Sequence, residues 1–299
     1  MNDIIKYQQC PVCGSGDIGY RLTATDHTVS NEHFEIWECS ACTLCFTQAV
    51  PGPAAIGSYY KSEAYVSHTN TRKGLVNTLY HWVRRFTLAS KKRMVQKVSD
   101  RKSGTLLDVG AGTGAFVQTM IKAGWQVTGL EPDPDARLNA TDHFKVELLP
   151  AEKLYDQPSA HFNAITLWHV LEHVHDLHGY LETFSRILKA NGTLFIAVPN
   201  YTSYDADFYG PHWAAWDVPR HLYHFSPQSM DVLAERHGMQ VVAHKRMWFD
   251  SFYVSMLSEQ HQHGYNNFFR ALWNGWLSNW EAVDDPSKCS SVVYVLRKN

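Results

Sequence analysis

Residues 169–178, HVLEHVHDLH, carry four histidines, one glutamate and one aspartate within ten positions. His169, Glu172 and His173 form an H-x-x-E-H pattern, in which two histidines one helical turn apart bind a metal ion and the glutamate activates water. A metallohydrolase would need both histidines on one exposed helical face and a third ligand from a later element. Metal-dependent hydrolysis is therefore one hypothesis, and the elements on either side of this segment decide it.

The N-terminal cysteines form a second cluster, with a spacing that is typical of metal binding. Two C-x-x-C pairs are separated by 25 residues and comprise Cys10, Cys13, Cys39 and Cys42. Four thiolates from two such turns complete the closed tetrahedral shell of a structural zinc site. We therefore predict that these residues bind Zn²⁺ and do no catalysis; buried thiols or disulfides are the alternative. Cys45 could replace one ligand but is expected on the following strand, and Cys289 is expected to be a buried small residue.

A glycine-rich turn follows a predicted strand in TLLDVGAGTGAFV. Gly110, Gly112 and Gly114 lead from that strand directly into a helix. Glycines let the backbone turn sharply and approach a ligand, and the helix N-terminus offers amide N–H groups. A second strand, QVTGLEP, ends at Glu131, where a carboxylate can accept both hydroxyls of a ribose. The dinucleotide fingerprint G-x-G-x-x-G would need a glycine in place of Ala115, and nothing in the sequence indicates a nicotinamide site.

The overall composition limits the classes of function. The 299 residues hold 27 basic and 29 acidic side chains, a net charge of −2, so no global field attracts nucleic acid or an anionic membrane surface. The sequence has no apolar run long enough to span a membrane and no apolar signal core at its N-terminus, so we expect a cytoplasmic protein. Strands alternating with helices over residues 104–199 predict βαβ units and a parallel sheet.

Four segments, in order, resemble the class I S-adenosylmethionine-dependent methyltransferases over roughly residues 90–299. They are LLDVGAGTGAF, VTGLEPD, FNAITLWHVLEHV and ILKANGTLFIAVPN. The resemblance implies an α/β, Rossmann-like fold with a seven-stranded, mostly parallel sheet whose last strand is reversed. It also implies S-adenosylmethionine (SAM) as the cofactor, lying across the carboxyl ends of the first strands. The histidine-rich segment then becomes the end of the fourth strand and a short helix. We prefer this interpretation to a metallohydrolase because it also explains the glycine turn and Glu131.

The resemblance assigns donor-binding roles by position. The glycine turn would wrap the methionine and ribose part of SAM, supported by the acid that ends the preceding strand; these residues are Asp108, Gly110, Ala111, Gly112 and Gly114. Glu131 would bind the ribose hydroxyls, and Glu152 would lie beside the adenine. Trp168 or His169 would close the pocket beneath the sulfonium. Upstream candidates for the amino-acid end of SAM, which could equally be core aromatics, are Tyr59, Tyr60, Tyr65 and His68.

Residues 210–227, GPHWAAWDVPRHLYHFSP, follow the fifth predicted strand and would roof the methyl donor. Aromatic rings would line an acceptor pocket there and a guanidinium would bind an anionic group; the substrate candidates are Trp213, Trp216, Asp217 and Arg220. Histidine titrates in the range needed to remove a proton as the methyl group moves. The catalytic candidates are therefore His221 and His224, together with His169. The alternative is that the Trp and His side chains are packing groups and that Arg220 pairs with Asp217.

The order of a zinc module, a methyltransferase core and a histidine-rich segment resembles that of bacterial sugar C-methyltransferases. It is also similar to zinc-ribbon methyltransferases of cell-surface polysaccharide pathways. The predicted domains are a zinc-ribbon-like module at 1–50, a linker and helical cap over the donor site at 51–103, and a methyltransferase domain at 104–299. The last domain carries aromatic insertions at 200–226 and 248–289.

The resulting hypothesis is a methyltransferase for a small-molecule acceptor, such as a sugar, glycolipid or related metabolite, methylated on oxygen or carbon by in-line displacement. An rRNA or tRNA methyltransferase whose zinc module docks RNA is the alternative. A basic stretch from VRRF to KKRMVQK supports it, and the near-neutral charge opposes it. A non-catalytic binding protein that reuses the fold is a third hypothesis, which the intact motifs oppose.

Overall fold

The structure, a computed structural model, describes residues 4–60 and 75–299. The proposed donor contacts Tyr65 and His68 lie outside these residues. The N-terminal part contains five short strands: β1 (Ile4–Ile5), β2 (Ile18–Thr25), β3 (His33–Cys39), β4 (Cys45–Thr47) and β5 (Val50–Pro51). β2, β3 and β4 form an antiparallel sheet, and β1 pairs with β5. Because Ile18 pairs with Cys39, the two C-x-x-C turns meet at the same end of this sheet.

The rest of the described chain contributes seven strands: β6 (Thr105–Val109), β7 (Gln126–Leu130), β8 (Phe162–Trp168), β9 (Leu188–Pro199), β10 (Tyr223–His224), β11 (Met239–Arg246) and β12 (Ser291–Lys298). All but β10 form one sheet in the order β11–β12–β9–β8–β6–β7. The pairs β6–β7, β6–β8 and β8–β9 are parallel, and β12 runs antiparallel to both of its neighbours. The central strand β8 is buried up to Leu167, as expected for a parallel strand covered on both faces.

The described residues contain eight α-helices: α1 (Leu75–Val98), α2 (Ala115–Lys122), α3 (Pro134–Asn139), α4 (Leu177–Ile187), α5 (Tyr204–Tyr209), α6 (Pro227–Arg236), α7 (Asp250–His263) and α8 (Phe268–Glu281). α6 begins with a capping box formed by Ser226 and Ser229, and Pro227 occupies its first turn. Among the helices of this part of the chain, none combines the length and apolar character that crossing a bilayer requires.

The main sheet has six strands among the described residues, where the sequence predicted seven. Beyond β7, a single parallel bridge joins Leu130 to Leu149. Pro150, which has no N–H to donate, follows immediately, and a 3₁₀ turn (Ala151–Leu154) begins after it, so the pairing does not extend. The predicted reversed last strand is confirmed, because β12 runs antiparallel between β9 and β11.

The N-terminal sheet is completed by a strand from the C-terminal part. β10 pairs antiparallel with β4, so the order of the small sheet is β10–β4–β3–β2. Close by, the hydroxyl oxygens of Thr43 and Ser226 lie 2.6 Å apart. One continuous buried cluster includes Cys10 from the N-terminal part and Leu107 from the main sheet. The boundary at residue 50 stays a prediction, while the shared sheet and core mean that the two parts stabilise each other.

A buried arginine also joins the two parts. Nη2 of Arg220 lies 2.6 Å from Asp217 Oδ1 and 3.0 Å from Asp26 Oδ1, and Nη1 donates to the Tyr59 carbonyl oxygen at 2.9 Å. The exposed fraction is 1% for the Arg220 side chain and 0% for that of Asp26. Burial would raise the pKa of Asp26, but the Ser30 amide and the Arg220 guanidinium together lower it. This ion pair is therefore part of the protein interior.

We predict that Arg220→Met lowers the free energy of unfolding by roughly 3–5 kcal/mol, because the Asp26 carboxylate would stay buried without its cation. The matched control is Arg21→Met. Arg21 pairs with Glu38 at 2.7 Å, but about a third of each side chain is exposed, so its loss should cost about 0–1 kcal/mol. Urea unfolding monitored by fluorescence measures both values, and equal losses in the two variants would contradict the role given to Arg220.

Candidate active site

The glycine turn between β6 and α2 has a backbone that requires glycine. Gly110, Gly112 and Gly114 adopt φ values of 69°, 53° and 76°, in the left-handed region that side chains rarely enter. A Cβ on Gly110 would lie 2.4 Å from Cγ2 of Val170, whereas a Cβ on Gly112 would have no atom within 4 Å. The turn is thus packed tightly against the loop after β8 at Gly110 and borders open space at Gly112. This space suits a ligand that the backbone approaches closely.

Glu131 connects the end of β7 to this turn. Its Oε2 accepts a hydrogen bond from the Gly112 amide at 2.7 Å, and its Oε1 accepts one from the Asp133 amide at 3.0 Å. The residue is 7% exposed, and burial raises the pKa of its carboxyl group. A carboxylate has about four lone-pair positions, so two bonds leave capacity for the hydroxyls of a bound ribose. The sequence prediction placed Glu131 beside the glycine turn, where the structure has it.

Asp108 lies inside the sheet rather than against the glycine turn. It is 1% exposed, and its Oδ1 accepts a hydrogen bond from the Thr166 hydroxyl on β8 at 2.6 Å. Burial raises the pKa of Asp108 to about 7, although the Thr166 hydroxyl and the Lys91 charge act in the opposite direction. The contact ties β6 to β8 directly below the turn. Its support of the turn is therefore indirect.

The other proposed donor contacts are more widely spread. Ala111 donates its amide to the Leu130 carbonyl oxygen at 2.8 Å, which holds the turn against β7. Glu152 is exposed on the 3₁₀ turn that follows the Leu149 bridge. Trp168 packs edge-on against Phe116 at 5.5 Å between ring centroids, and Lys91 Nζ lies 4.4 Å from its ring centroid. Trp168 therefore belongs to the packing around α1 and α2.

His169 is held between two carboxylates. Its Nε2 lies 2.9 Å from Asp250 Oδ2, and its Nδ1 lies 3.4 Å from Glu172 Oε1. Burial alone would lower the pKa of His169, but the Asp250 and Glu172 carboxylates outweigh it and raise the pKa to about 9. The imidazole is thus a cation at neutral pH and has no lone pair with which to accept a proton. Its charge state conflicts with the catalytic role expected for His169.

The loop expected to line an acceptor pocket is mostly buried. Trp213 and Trp216 are 2% and 3% exposed, and their rings pack edge-to-face with centroids 5.3 Å apart. Trp213 Nε1 donates to Asp205 Oδ2, and Trp216 Nε1 donates to the Gly210 carbonyl oxygen, both at 2.8 Å. The guanidinium of Arg220 donates to the carboxylates and carbonyl oxygen described above. These contacts match the packing alternative considered for this loop, including the Arg220 pair with Asp217.

The two histidines of this loop differ in which ring nitrogen donates a hydrogen bond and which keeps a free lone pair. Thr47 donates its single hydroxyl proton to the His221 carbonyl oxygen at 2.7 Å, so Nε2 of His224, 3.1 Å from the same hydroxyl, must itself be a donor. Burial lowers the pKa of His224 well below its usual value, so the ring is neutral and fixes the loop to β4. Nδ1 of His221 lies 2.8 Å from the Ala215 carbonyl oxygen, which can only accept a proton, so Nε2 of neutral His221 carries the free lone pair.

A cluster at the end of β8 brings together Glu172, His173 and His221. One ligand atom from each residue lies within 4.8 Å of the others. The His173 and His221 ring centroids are 4.6 Å apart, and burial together with the His221 charge lowers the pKa of His173 to about 4. Sequence reasoning found the first two residues in H-x-x-E-H but did not connect them with His221. We refer to these three residues as the Glu-His-His cluster.

The four predicted zinc ligands lie together. The Sγ atoms of Cys10 and Cys42 are 3.5 Å apart, as are those of Cys13 and Cys39, and all four lie within 4.8 Å of one another. All-thiolate donor sets of this kind suit tetrahedral zinc. Cys45 is buried on β4 outside this group, and burial raises its pKa to about 12. The structure therefore places the four sulfur atoms where one zinc ion could be bound.

Sequence reasoning missed three partners of these side chains: Asp26, Thr47 and Asp250. Asp250 pairs with His169 across 81 residues, and Asp26 pairs with Arg220 across 194 residues. No spacing rule connects positions so far apart. Of the three, only Asp26 could have been noticed from its neighbours in the sequence. It begins the segment DHTVSN, which is rich in residues whose side chains form hydrogen bonds to nearby backbone groups in turns.

Comparison with known proteins gives an independent view of the chain. A family model described as a methyltransferase domain matches residues 79–244. The ubiquinone biosynthesis O-methyltransferase of Xanthomonas oryzae pv. oryzae is 29% identical over 135 residues, covering 42% of this chain and 56% of that protein. The mitochondrial protein of the same name from Homo sapiens is 26% identical over 163 residues, covering 49% and 44%. This chain thus spans about half the length of the curated relatives it matches.

A solved structure also resembles this chain over most of its length. The 1,6-didemethyltoxoflavin-N1-methyltransferase of Burkholderia thailandensis, solved with 1,6-didemethyltoxoflavin and S-adenosylhomocysteine, gives a TM-score of 0.52 at 14% identity. The match covers 92% of this chain and all of that one. At this identity the likeness concerns the fold alone, and it confirms the predicted Rossmann-like methyltransferase architecture.

We predict that Asp108→Asn becomes more stable relative to the wild type as pH rises. The folded-state pKa of Asp108, about 7, lies above its ordinary value of 3.8. Between these two pH values Asp108 is protonated in the folded wild type and ionised in the unfolded chain. The stability of the wild type therefore falls through that range, by up to about 1.4 kcal/mol per pH unit. The Asn side chain has no such proton to lose. Urea unfolding at pH 5, 6 and 7 measures the difference, and a constant difference would contradict a buried neutral Asp108.

Proposed function

The chain belongs to the methyltransferase-domain family, whose model matches more than half of its residues, and from this membership we propose that it transfers a methyl group from SAM to a hydroxyl of a small molecule. The observation that carries the proposal is the pairing of the Glu131 carboxylate with the Gly112 amide beside open space. SAM supplies an electrophilic methyl group on a sulfonium. The remaining requirements are positioning, exclusion of water and removal of a proton from the acceptor.

In this proposal the glycine turn and Glu131 bind the donor. The left-handed backbone at Gly110, Gly112 and Gly114 forms the turn, and at Gly112 no Cβ occupies the open space beside it. Glu131 uses its unused lone pairs for the two ribose hydroxyls. Arg84 donates to the Thr113 hydroxyl at 2.9 Å and so holds α1 over the turn. These residues orient the donor and take no part in the making or breaking of covalent bonds.

The acceptor side is assigned to the Glu-His-His cluster. This cluster lies at the carboxyl end of β8. The residues that connect β8 to Glu172 include Val170, which packs against Gly110 of the glycine turn. His169 and His224 act by holding the surrounding loops, because neither offers Nε2 as an acceptor. Trp213, Trp216, Asp217 and Arg220 likewise hold the loop in position rather than touch the substrate.

Methylation on oxygen is supported by the names of the curated relatives, which are O-methyltransferases. Because the matches cover only about half of those proteins, we assign the acceptor no more narrowly than to the class of small hydroxylated molecules. The net charge of −2 disfavours RNA as the acceptor, since RNA affinity depends on neutralising phosphates with basic side chains.

We further propose that Cys10, Cys13, Cys39 and Cys42 bind one structural zinc ion. The support is the convergence of their sulfur atoms within 4.8 Å. A closed shell of four thiolates offers no open position, so this ion would stabilise the fold of the N-terminal part and, through β10, the loop that carries His221.

Donor binding tests the proposal first. Isothermal titration with S-adenosylhomocysteine should show saturable binding to the wild type. Glu131→Gln should weaken it by about 10-fold to 100-fold, because a charge-assisted hydrogen bond contributes about 1.5–3 kcal/mol. Glu147→Gln, which changes an exposed glutamate nearby, is the matched control and should bind as the wild type does. Equal affinity of Glu131→Gln and wild type would contradict the assigned ribose contact.

Turnover tests the acceptor side. With labelled SAM and a panel of phenols and sugars, His221→Gln should lower methyl transfer to the best acceptor at least about 100-fold, the range of a lost proton-accepting group. Its affinity for S-adenosylhomocysteine should stay within about 2-fold of the wild type, since His221 is not a donor contact. His143→Gln, at an exposed position, is the control. Methylation of RNA, and of no member of the panel, would contradict a small-molecule acceptor.

A further inference from the structure

The Glu-His-His cluster contains a buried carboxylate that lacks hydrogen-bond donors. Glu172 is 0% exposed, and within the described residues neither of its side-chain oxygens has a hydrogen-bond partner. The nearby cation, His169, is 3.4 Å away through Nδ1 and directs its Nε2 to Asp250. The single charge of His169 is shared between Asp250 and Glu172, so a further cation beside the buried Glu172 carboxylate would be favourable.

The two histidines of the cluster offer lone pairs rather than protons. Nδ1 of His173 lies 3.0 Å from the Arg220 carbonyl oxygen, and Nδ1 of His221 lies 2.8 Å from the Ala215 carbonyl oxygen. A carbonyl oxygen can only accept, so each Nδ1 carries hydrogen, and in the neutral tautomer of either ring Nε2 has a free lone pair. Metal-binding histidines are oriented in this way, by donating their other ring nitrogen to a carbonyl or carboxylate.

The cluster therefore assembles three side chains that can each donate an electron pair. Glu172 and His173 come from the 3₁₀ turn Leu171–His173, and His221 comes from the loop before β10. Their ligand atoms all lie within 4.8 Å of one another, a separation that one ion can span. Asp217, whose Oδ2 is 3.8 Å from His221 Nε2, is already engaged by Arg220.

We propose that Glu172, His173 and His221 bind a divalent transition-metal ion of the zinc class. Two imidazoles and one carboxylate form a ligand set that suits zinc and neighbouring metals, and three protein ligands leave a coordination position open. This site is separate from the four cysteines, whose shell is closed. It also differs from the H-x-x-E-H hypothesis, because His169 is turned towards Asp250 and the third ligand is His221.

The role of the ion rests on the proposed function. An ion held by these residues would use its open position to bind an acceptor oxygen and would lower the pKa of that hydroxyl. Because Nε2 of His221 would then be a ligand, the acceptor proton would pass to water rather than to His221. The existence of the site does not depend on that role. The competing explanation is a shared proton, in which one protonated histidine donates to Glu172 and no metal binds.

The metal content of the full chain tests the proposal. The wild type, expressed with zinc and desalted, should hold one more equivalent of zinc per chain than Glu172→Gln or His221→Gln, as measured by inductively coupled plasma mass spectrometry. His143→Gln should retain the wild-type amount. If Glu172→Gln retains all the zinc of the wild type, the shared-proton explanation is correct and the proposal is overturned.

A spectroscopic measurement on the wild type covers the case in which the variants do not fold. Co²⁺ added to metal-depleted wild type should bind at two sites. One should show the intense near-ultraviolet charge-transfer bands of cobalt thiolate, and the other should show only weak visible bands without a thiolate contribution. Binding of cobalt at the thiolate site alone would overturn the proposal. Titration with S-adenosylhomocysteine is independent of both metal measurements. If the chain failed to bind this ligand, the proposed function would be wrong, but the second metal site would not be contradicted.

Discussion

The proposed donor site is built around one hydrogen bond, from the Gly112 amide to the Glu131 carboxylate. This bond links the turn after β6 to the carboxyl end of β7, and the turn follows a left-handed path that glycine can adopt. Close packing on either side completes this arrangement, because a Cβ on Gly110 would meet Val170, and one on Gly129 would lie 2.4 Å from Leu148 Cδ2. The open space beside Gly112 is thus bordered by the backbone of the glycine turn.

Buried charges organise the other half of the site. Cationic His169 lies between the carboxylates of Asp250 and Glu172, and Arg220 lies between those of Asp217 and Asp26. His169 thereby fixes the loop after β8 to Asp250 at the start of α7, and Arg220 fixes the loop before β10 to Asp26 of the N-terminal part. His173 and His221 take part in neither pair, which is why we assign the proposed acceptor side to the Glu-His-His cluster.

Local features of the sequence predicted much of this arrangement. The glycine turn, Glu131 and the four cysteines each depend on residues close together in the chain, so spacing and residue type suffice to find them. Contacts across long separations could not be found in this way. Arg220 reaches Asp26 across 194 residues, and β10 joins the N-terminal sheet through pairing that no local pattern encodes. For this reason Arg220 was expected at the substrate, and the packing role of Trp213 and Trp216 was only an alternative.

A crystal structure of the full chain with S-adenosylhomocysteine would show directly whether Glu131 and the glycine turn bind the donor. We expect the ligand to lie across the carboxyl ends of β6 and β7, with its two ribose hydroxyls within hydrogen-bond distance of the Glu131 carboxylate. We also expect the Gly112 backbone to contact the ligand. A ligand bound elsewhere, or a Glu131 carboxylate that makes no contact with the ribose, would show that this assignment is wrong.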